Sequence, residues 1–168
     1  MKSTEDSTLS QLEGALRRDM PENIVPMLAT LTDRPFSSKE WLFEPKLDGI
    51  RTISIMDKNG WLRLLSRYGN NVTTKYPDIV ADLTQRSLKG KILDGELVAL
   101  DQNGIPSFQH LQTRIGLNRE IDINQAIRSA PVYYYIFDLL YSDDYDLSQI
   151  ALHHRKYLLQ KSFKQTPS

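Results

Sequence analysis

The stretch EPKLDGIR, residues 44–51, places four charged side chains within eight positions. Lys46 and Asp48 are two residues apart, so they share a face if the chain is extended there. A lysine is a nucleophile only as the neutral amine. A lysine in water has a pKa near 10.4, so only about one in a thousand is neutral at pH 7.4. A nucleophilic lysine therefore needs burial or neighbouring cations that favour the amine.

Two interpretations of this stretch are open from its residues alone. The first is a surface ion pair between Lys46 and Asp48, with Gly49 as a turn residue, and an isolated K-x-D-G pattern favours it. The second is a catalytic site, in which Asp48 would face a metal ion or a substrate hydroxyl. Asp48 would not activate Lys46, because an adjacent carboxylate stabilises the ammonium form. The full K-x-D-G-x-R pattern is rarer, since four fixed residues occur by chance in about one chain in a thousand.

Three downstream segments extend the pattern. They are SRYGNNVT with Arg67, LDGELVALD with Glu96, and YYYIFDLLY with Phe137. With KLDGIR, they resemble in order the nucleotidyltransferase motifs of ATP-dependent DNA ligases, enzymes that become adenylated on lysine. PMLATL and WLFEPKLDG are most similar to the ligase domain of bacterial non-homologous end-joining ligases. The resemblance covers about residues 24–160 and implies a partial nucleotidyltransferase (ATP-grasp-like) adenylation domain.

The resemblance implies a covalent reaction at Lys46. Lys46 would attack the α-phosphate of ATP, expel pyrophosphate and hold AMP as a phosphoramidate. Asp48 is the second catalytic residue that the resemblance implies. ATP and Mg²⁺ are the implied cofactors, and the resemblance leaves the metal ligands of this chain unknown.

The resemblance also implies roles for five other side chains. Glu44 would lie near the adenine amino group, Glu96 would accept from a ribose hydroxyl, and Phe137 would stack on adenine. Arg51 would contact the ribose or the 5′-phosphate of a nick, and Arg67 would bind that phosphate. These roles suit the groups, because carboxylates accept from hydroxyls and arginines match phosphate oxygens.

Each side chain also has a structural alternative. Phe137 shares strand parity with Tyr133 and Tyr135, so that face could simply be core. Glu96 could be a strand-edge charge, and SRYGNN could be only a polar turn. The three histidines match no metal-ligand spacing.

The sequence departs from the ligase pattern after Phe137. The resemblance implies a later metal-binding glutamate, a K-x-K pair at the α-phosphate and a second domain that closes over DNA. No Glu follows Glu120, and Lys156, Lys161 and Lys164 lack the K-x-K spacing. Missing cations would leave charge on the α-phosphate uncompensated. We therefore expect a C-terminally truncated adenylation domain with weak or no self-adenylation.

Three functions follow as hypotheses. The first is an ATP-dependent DNA ligase that seals nicks in repair and recombination, with nicked double-stranded DNA as substrate. The second is a non-catalytic nucleotide- or nick-binding module, completed in trans by a C-terminal ligase segment or by end-joining proteins. The third is a related RNA ligase or capping-type nucleotidyltransferase.

Composition sets the remaining expectations. The chain has 168 residues, no cysteine, and 21 basic against 21 acidic side chains, so net charge gives no signal for nucleic acid. No apolar stretch approaches the roughly 20 residues that span a bilayer, and the N-terminus lacks the apolar region of a signal peptide. We predict a cytoplasmic bacterial protein without membrane contact. Residues 1–22 are a predicted polar leader, and residues 23–168 the adenylation segment.

The predicted elements give an α+β fold with mainly antiparallel sheet and flanking helices. Two D-x-N-G turns, at residues 57–60 and 101–104, lie between apolar runs and predict hairpins. A long strand is predicted at residues 131–141. Helices are predicted within residues 76–90, 107–116 and 153–163 from proline, N-cap and glycine signals.

Overall fold

The described part of the protein is built on one antiparallel sheet. The computed structural model describes residues 9–86 and 88–164. Within these ranges six strands pair in the order β1-β6-β5-β4-β2-β3, and each pair is antiparallel. The strands are β1 (Leu16–Arg17), β2 (Ile50–Met56), β3 (Leu62–Ser66), β4 (Lys91–Ala99), β5 (Val132–Ser142) and β6 (Tyr145–Asp146). The predicted α+β class with mainly antiparallel sheet is confirmed.

Four α-helices flank the sheet in the described residues: α1 (Pro77–Gln85), α2 (Phe108–Ile115), α3 (Glu120–Ser129) and α4 (Leu152–Lys164), with a 3₁₀ turn at Thr73–Lys75. Ser107 caps α2, since its side chain accepts from the His110 amide. The sequence analysis did not predict α3. Its N-cap is Arg119, which makes no side-chain cap, so the usual helix-start signal is absent.

The two D-x-N-G segments both form turns. Asp57 Oδ1 accepts from the amides of Asn59 and Trp61 at 2.8 Å each, and the turn joins β2 to β3 as predicted. Asp101 Oδ1 accepts in the same way from the Asn103 and Ile105 amides. The second turn leads only to an isolated bridge between Leu100 and Pro106, because α2 begins two residues later.

Core residues lie on both faces of the sheet. The larger cluster packs under the helices and includes Leu64, Leu97, Leu111 and Leu139. The smaller cluster contains Ile53, Ile55, Leu65, Ile92 and Tyr141. The sheet is therefore covered on two sides, which holds its edges and strand ends in fixed positions.

The described part of the predicted leader contacts this core. Leu9 is buried in the larger cluster, and Met20 packs against the smaller one. Leu16–Arg17 pairs with β6, and Tyr141 donates its hydroxyl to the carbonyl of Arg18 at 2.8 Å. Residues 1–8 of that predicted leader lie outside the described residues. No helix in the described ranges is long and apolar enough to cross a membrane.

Candidate active site

The segment that carries Lys46 meets β4 at Gly49, directly before it enters β2. Gly49 makes the approach possible, because a Cβ at this position would lie 2.1 Å from the carbonyl oxygen of Leu97. The Gly49 amide and the charge of Lys46 both favour the ionised form of the Glu96 carboxyl. Lys46 is exposed. The fold thus brings together Lys46 and Glu96, which lie far apart in the sequence.

Glu96 is half-buried on β4, opposite Arg51 on β2 and Tyr135 on β5. Burial raises the pKa of the Glu96 carboxyl, although the charges of Arg51 and Lys46 oppose this shift. A carboxylate in this position can accept hydrogen bonds from a ligand hydroxyl. The ribose contact of Glu96 stays a prediction.

Arg51 forms a two-point ion pair with Asp94. Arg51 Nε lies 2.5 Å from Asp94 Oδ1, and Nη2 lies 2.6 Å from Oδ2. The Asp94 side chain is 3% exposed and that of Arg51 is 28% exposed. Burial raises the pKa of Asp94, and the Arg51 guanidinium opposes that shift. Arg51 is therefore a structural partner of the buried Asp94 carboxylate, in addition to any contact that it makes with a ligand.

Phe137 lies in a β-bulge of β5. Gly95 pairs with Ile136 while Asp94 pairs with Asp138, so Phe137 has no partner on β4. Bulges re-aim side chains near functional sites. The guanidinium carbon of Arg51 lies 4.7 Å from the centroid of the Phe137 ring.

The alternative in which one face of β5 is core does not match the exposure of its tyrosines. Tyr133 and Tyr135 are 47% and 43% exposed, so they are not packing residues. The bulge also breaks the simple alternation on which the shared parity with Phe137 rested. The all-core alternative for this face is therefore wrong.

Helix α4 adds a residue that the sequence motifs did not select. The Lys156 ammonium donates both to the Glu44 carboxylate and to the Phe137 carbonyl. It lies 5.7 Å from the centroid of the Phe137 ring. Its neighbour Arg155 forms a two-point pair with Asp138, at 2.8 and 2.9 Å. These contacts tie α4 to the strand that carries the aromatic ring.

No local sequence signal could have revealed Lys156. The K-x-K pattern depends only on the spacing between lysines near the end of the chain. Lys156 instead contacts Glu44, which lies 112 residues earlier, so no spacing rule reveals the contact. The useful signal is indirect. A helix predicted directly after the long strand must pack back on it, and its first turns carry Arg155 and Lys156.

Asp48 and Arg67 lie near the same segment but have different surroundings. Asp48 Oδ2 accepts from the amide of Phe108 at 3.2 Å, so it anchors the start of α2. Arg67 is exposed, its amide donates to the carbonyl of Arg51 at 3.1 Å, and its guanidinium lies 5.8 Å from the Tyr68 ring. The catalytic role of Asp48 and the phosphate contact of Arg67 stay predictions.

The described side chains do not form a metal centre by themselves. No cluster of three or more His, Cys, Asp or Glu suited to a metal ion occurs within residues 9–86 and 88–164. Mg²⁺ usually keeps several waters and takes one or two carboxylates together with substrate phosphates. The donor set therefore does not fit a protein-only Mg²⁺ site.

Comparison with known families identifies the class of protein. The family model described as "ATP dependent DNA ligase domain" matches residues 26–168. The chain belongs to this family, which confirms the resemblance seen in the motifs. The match also confirms the predicted enzyme family, the DNA ligases. DNA ligation and DNA repair are confirmed as the processes in which this family acts.

Relatives within the family include bacterial end-joining proteins. The chain is 38% identical over 141 residues to the multifunctional non-homologous end joining protein LigD of Pseudomonas aeruginosa, covering 84% of this chain and 16% of that protein. It is 34% identical over 162 residues to a DNA ligase of Saccharolobus islandicus, covering 89% and 26%. The chain thus spans about a quarter or less of the length of these relatives.

Solved structures agree with the fold. The ligase domain of Mycobacterium tuberculosis LigD matches with a TM-score of 0.57 and 34% identity, over 70% of this chain and 35% of that one. A mycobacterial DNA ligase D complexed with ATP and MES matches with a TM-score of 0.55 at the same identity, over 70% of this chain and 35% of that one.

Proposed function

We propose that this chain carries the nucleotide pocket of an ATP-dependent DNA ligase that seals nicks through AMP bound covalently to Lys46. The observation that carries the proposal is the convergence of side chains on one end of β2, β4 and β5. Lys46 interacts with Glu96 there, and Lys156 joins Glu44 to Phe137. The family membership of the chain supports the same reaction.

The reaction assigned to Lys46 is a substitution at phosphorus. The neutral amine attacks the α-phosphate of ATP, and a P–N bond forms. The bond between the α-phosphorus and the bridging oxygen breaks, and pyrophosphate leaves with the electron pair. The amine loses a proton to solvent. Glu96 would hold the ribose, Phe137 would stack on adenine, and such stacking contributes about 1–3 kcal/mol per base.

We expect the 168-residue chain to adenylate itself weakly or not at all. Glu96, whose carboxyl is affected by the charge of Lys46, places negative rather than positive charge beside the site of attack. Electrostatic stabilisation of charge on the α-phosphate needs fixed cations, and Arg51 is already engaged by Asp94.

Covalent labelling with α-labelled ATP and Mg²⁺ tests the proposal. We expect at most a small labelled fraction, stable to alkali and lost in acid as for a P–N bond, and no label in Lys46→Ala. Strong wild-type label that disappears in Lys46→Ala would support Lys46 and contradict the weak activity. Label that persists in Lys46→Ala would contradict the assignment of the nucleophile.

A nick-binding role without catalysis is the second candidate, because Arg67 is exposed while Arg51 is engaged. We expect the chain to bind a nicked duplex with a 5′-phosphate more tightly than one with a 5′-hydroxyl. Arg67→Ala should reduce this preference about tenfold, since charge-assisted hydrogen bonds contribute about 1.5–3 kcal/mol. The exposed Arg128 of α3 provides the matched control. Equal binding of both nicks by the wild type would contradict this role.

A further inference from the structure

Lys156 occupies a position between two parts of the proposed base pocket. Its ammonium contacts the Glu44 carboxylate on the segment before Lys46 and the Phe137 carbonyl on β5. The side chains of Lys156 and Glu44 are 25% and 47% exposed. Lys156 is therefore the contact through which α4 touches both predicted adenine ligands at once.

The backbone that presents Lys156 is held firmly. Arg155 is buried, pairs with Asp138 at two points, and donates to the carbonyl of Ile150 at the start of α4. Asp138 follows Phe137 directly on β5. The position of the helix is thus fixed relative to the aromatic ring, so the ammonium of Lys156 has a defined place from which to hold Glu44.

We infer that Lys156 is a positioning residue that makes the pocket selective for adenine over guanine. This inference rests on the function proposed above. An ionised carboxylate only accepts hydrogen bonds. The six-position of adenine carries an amino donor, whereas that of guanine carries a carbonyl acceptor. Lys156 donates to Oε1 of Glu44, so the remaining lone pairs of the carboxylate are available to accept from the amino group of a bound adenine.

Without Lys156, the half-exposed Glu44 loses its fixed orientation. A free carboxylate side chain samples several rotamers, and ordering it again on binding has an entropic cost. Selectivity should suffer more than binding in general, because the held carboxylate accepts from the six-amino group of adenine and has no donor to accept from at the six-position of guanine. A residue that only stabilised the fold would instead weaken the binding of both nucleotides together.

Nucleotide binding by the 168-residue chain tests the inference. Dissociation constants for labelled ATP and GTP would be measured by equilibrium dialysis for the wild type, Lys156→Met and Lys156→Arg. In Lys156→Met we expect ATP affinity to fall about tenfold, the effect of one charge-assisted hydrogen bond, with GTP affinity nearly unchanged. Lys156→Arg should retain the preference for ATP. Lys161→Met, on the exposed side of the same helix, is the control.

A double-mutant cycle with Glu44→Gln identifies the route of the effect. If Lys156 acts through Glu44, Lys156→Met should change ATP affinity less than about twofold in the Glu44→Gln background. An unchanged ratio of ATP to GTP affinity in Lys156→Met would overturn the inference while leaving the proposed function intact. Equal losses for both nucleotides would also overturn it. A wild-type chain that binds neither nucleotide would overturn the proposed function, and the inference with it.

Discussion

Arg51→Met is expected to lower the free energy of unfolding by about 3 kcal/mol near neutral pH. The substitution leaves the Asp94 carboxylate, 3% exposed, without the guanidinium that contacts both of its oxygens. Breaking a buried pair costs about 3–5 kcal/mol, because an uncompensated charge remains inside. The lower value applies here because the arginine side chain is 28% exposed. Urea denaturation of both proteins measures the difference.

This deficit should depend on pH. Burial already raises the pKa of Asp94, and the variant removes the contact that opposes the shift. A carboxyl with a raised pKa binds its proton more tightly in the folded state. Its contribution to stability is complete below the unfolded pKa and is lost as pH rises through the folded pKa. The Arg51→Met deficit should therefore be smaller near pH 4 than near pH 7.

Arg86→Met is the matched control for the ion pair. Arg86 pairs with Asp82 one turn earlier on the surface of α1, at 2.9 Å. Exposed pairs of this spacing contribute about 0.3–0.5 kcal/mol. If Arg51→Met were no more destabilising than Arg86→Met, or if its deficit grew on acidification, the structural role of the pair would be contradicted.

Gly49→Ala is expected to impair both the fold and the nucleotide site. The new Cβ would lie 2.1 Å from the Leu97 carbonyl oxygen, 2.8 Å from Val98 Cγ1 and 2.9 Å from Glu96 Cγ. The closest of these atoms is backbone, so the Lys46 segment must move away from β4. Overpacking of this kind costs about 1–3 kcal/mol. Displacement of a reactive group by about 1 Å can cost about a hundredfold in rate.

Thermal denaturation and ATP binding measure the two effects of Gly49→Ala. We expect a lower melting temperature and at least about tenfold weaker ATP binding, because the Lys46 segment and the Glu96 side chain are both displaced. Gly116→Ala is the control, since the methyl group that this substitution adds would have no neighbouring atom within 4 Å. A Gly49→Ala protein that melts and binds ATP like Gly116→Ala would contradict the close approach of this segment to β4.

Local chemistry made several elements predictable. The D-x-N-G turn at residues 57–60 required only a carboxylate that accepts from the following amides, and the Ser107 cap required only a short polar side chain. The long strand around Phe137 followed from its aromatic and β-branched content. These features depend on neighbours in the chain, which the sequence displays directly.

The organisation of the site depends on contacts between distant residues. The pairing of Arg51 with Asp94 follows from strand register, and the position of Phe137 follows from a bulge. Lys156 reaches Glu44 only because α4 folds back on β5. Periodicity and motif spacing carry no information about these contacts. The motifs therefore named the residues of the proposed pocket, but not the contacts by which α4 holds Glu44 and Phe137.

The most direct test of the proposed nucleotide pocket is lysine footprinting in the presence of ATP. The rate of acylation of each lysine by an amine-reactive ester would be measured by peptide mass spectrometry, with and without the nucleotide. Near-saturating ATP, about ten times its dissociation constant, should slow the acylation of Lys46 about tenfold. The exposed Lys39 and Lys161 should react at unchanged rates. Unchanged acylation of Lys46 under the same conditions would contradict the pocket.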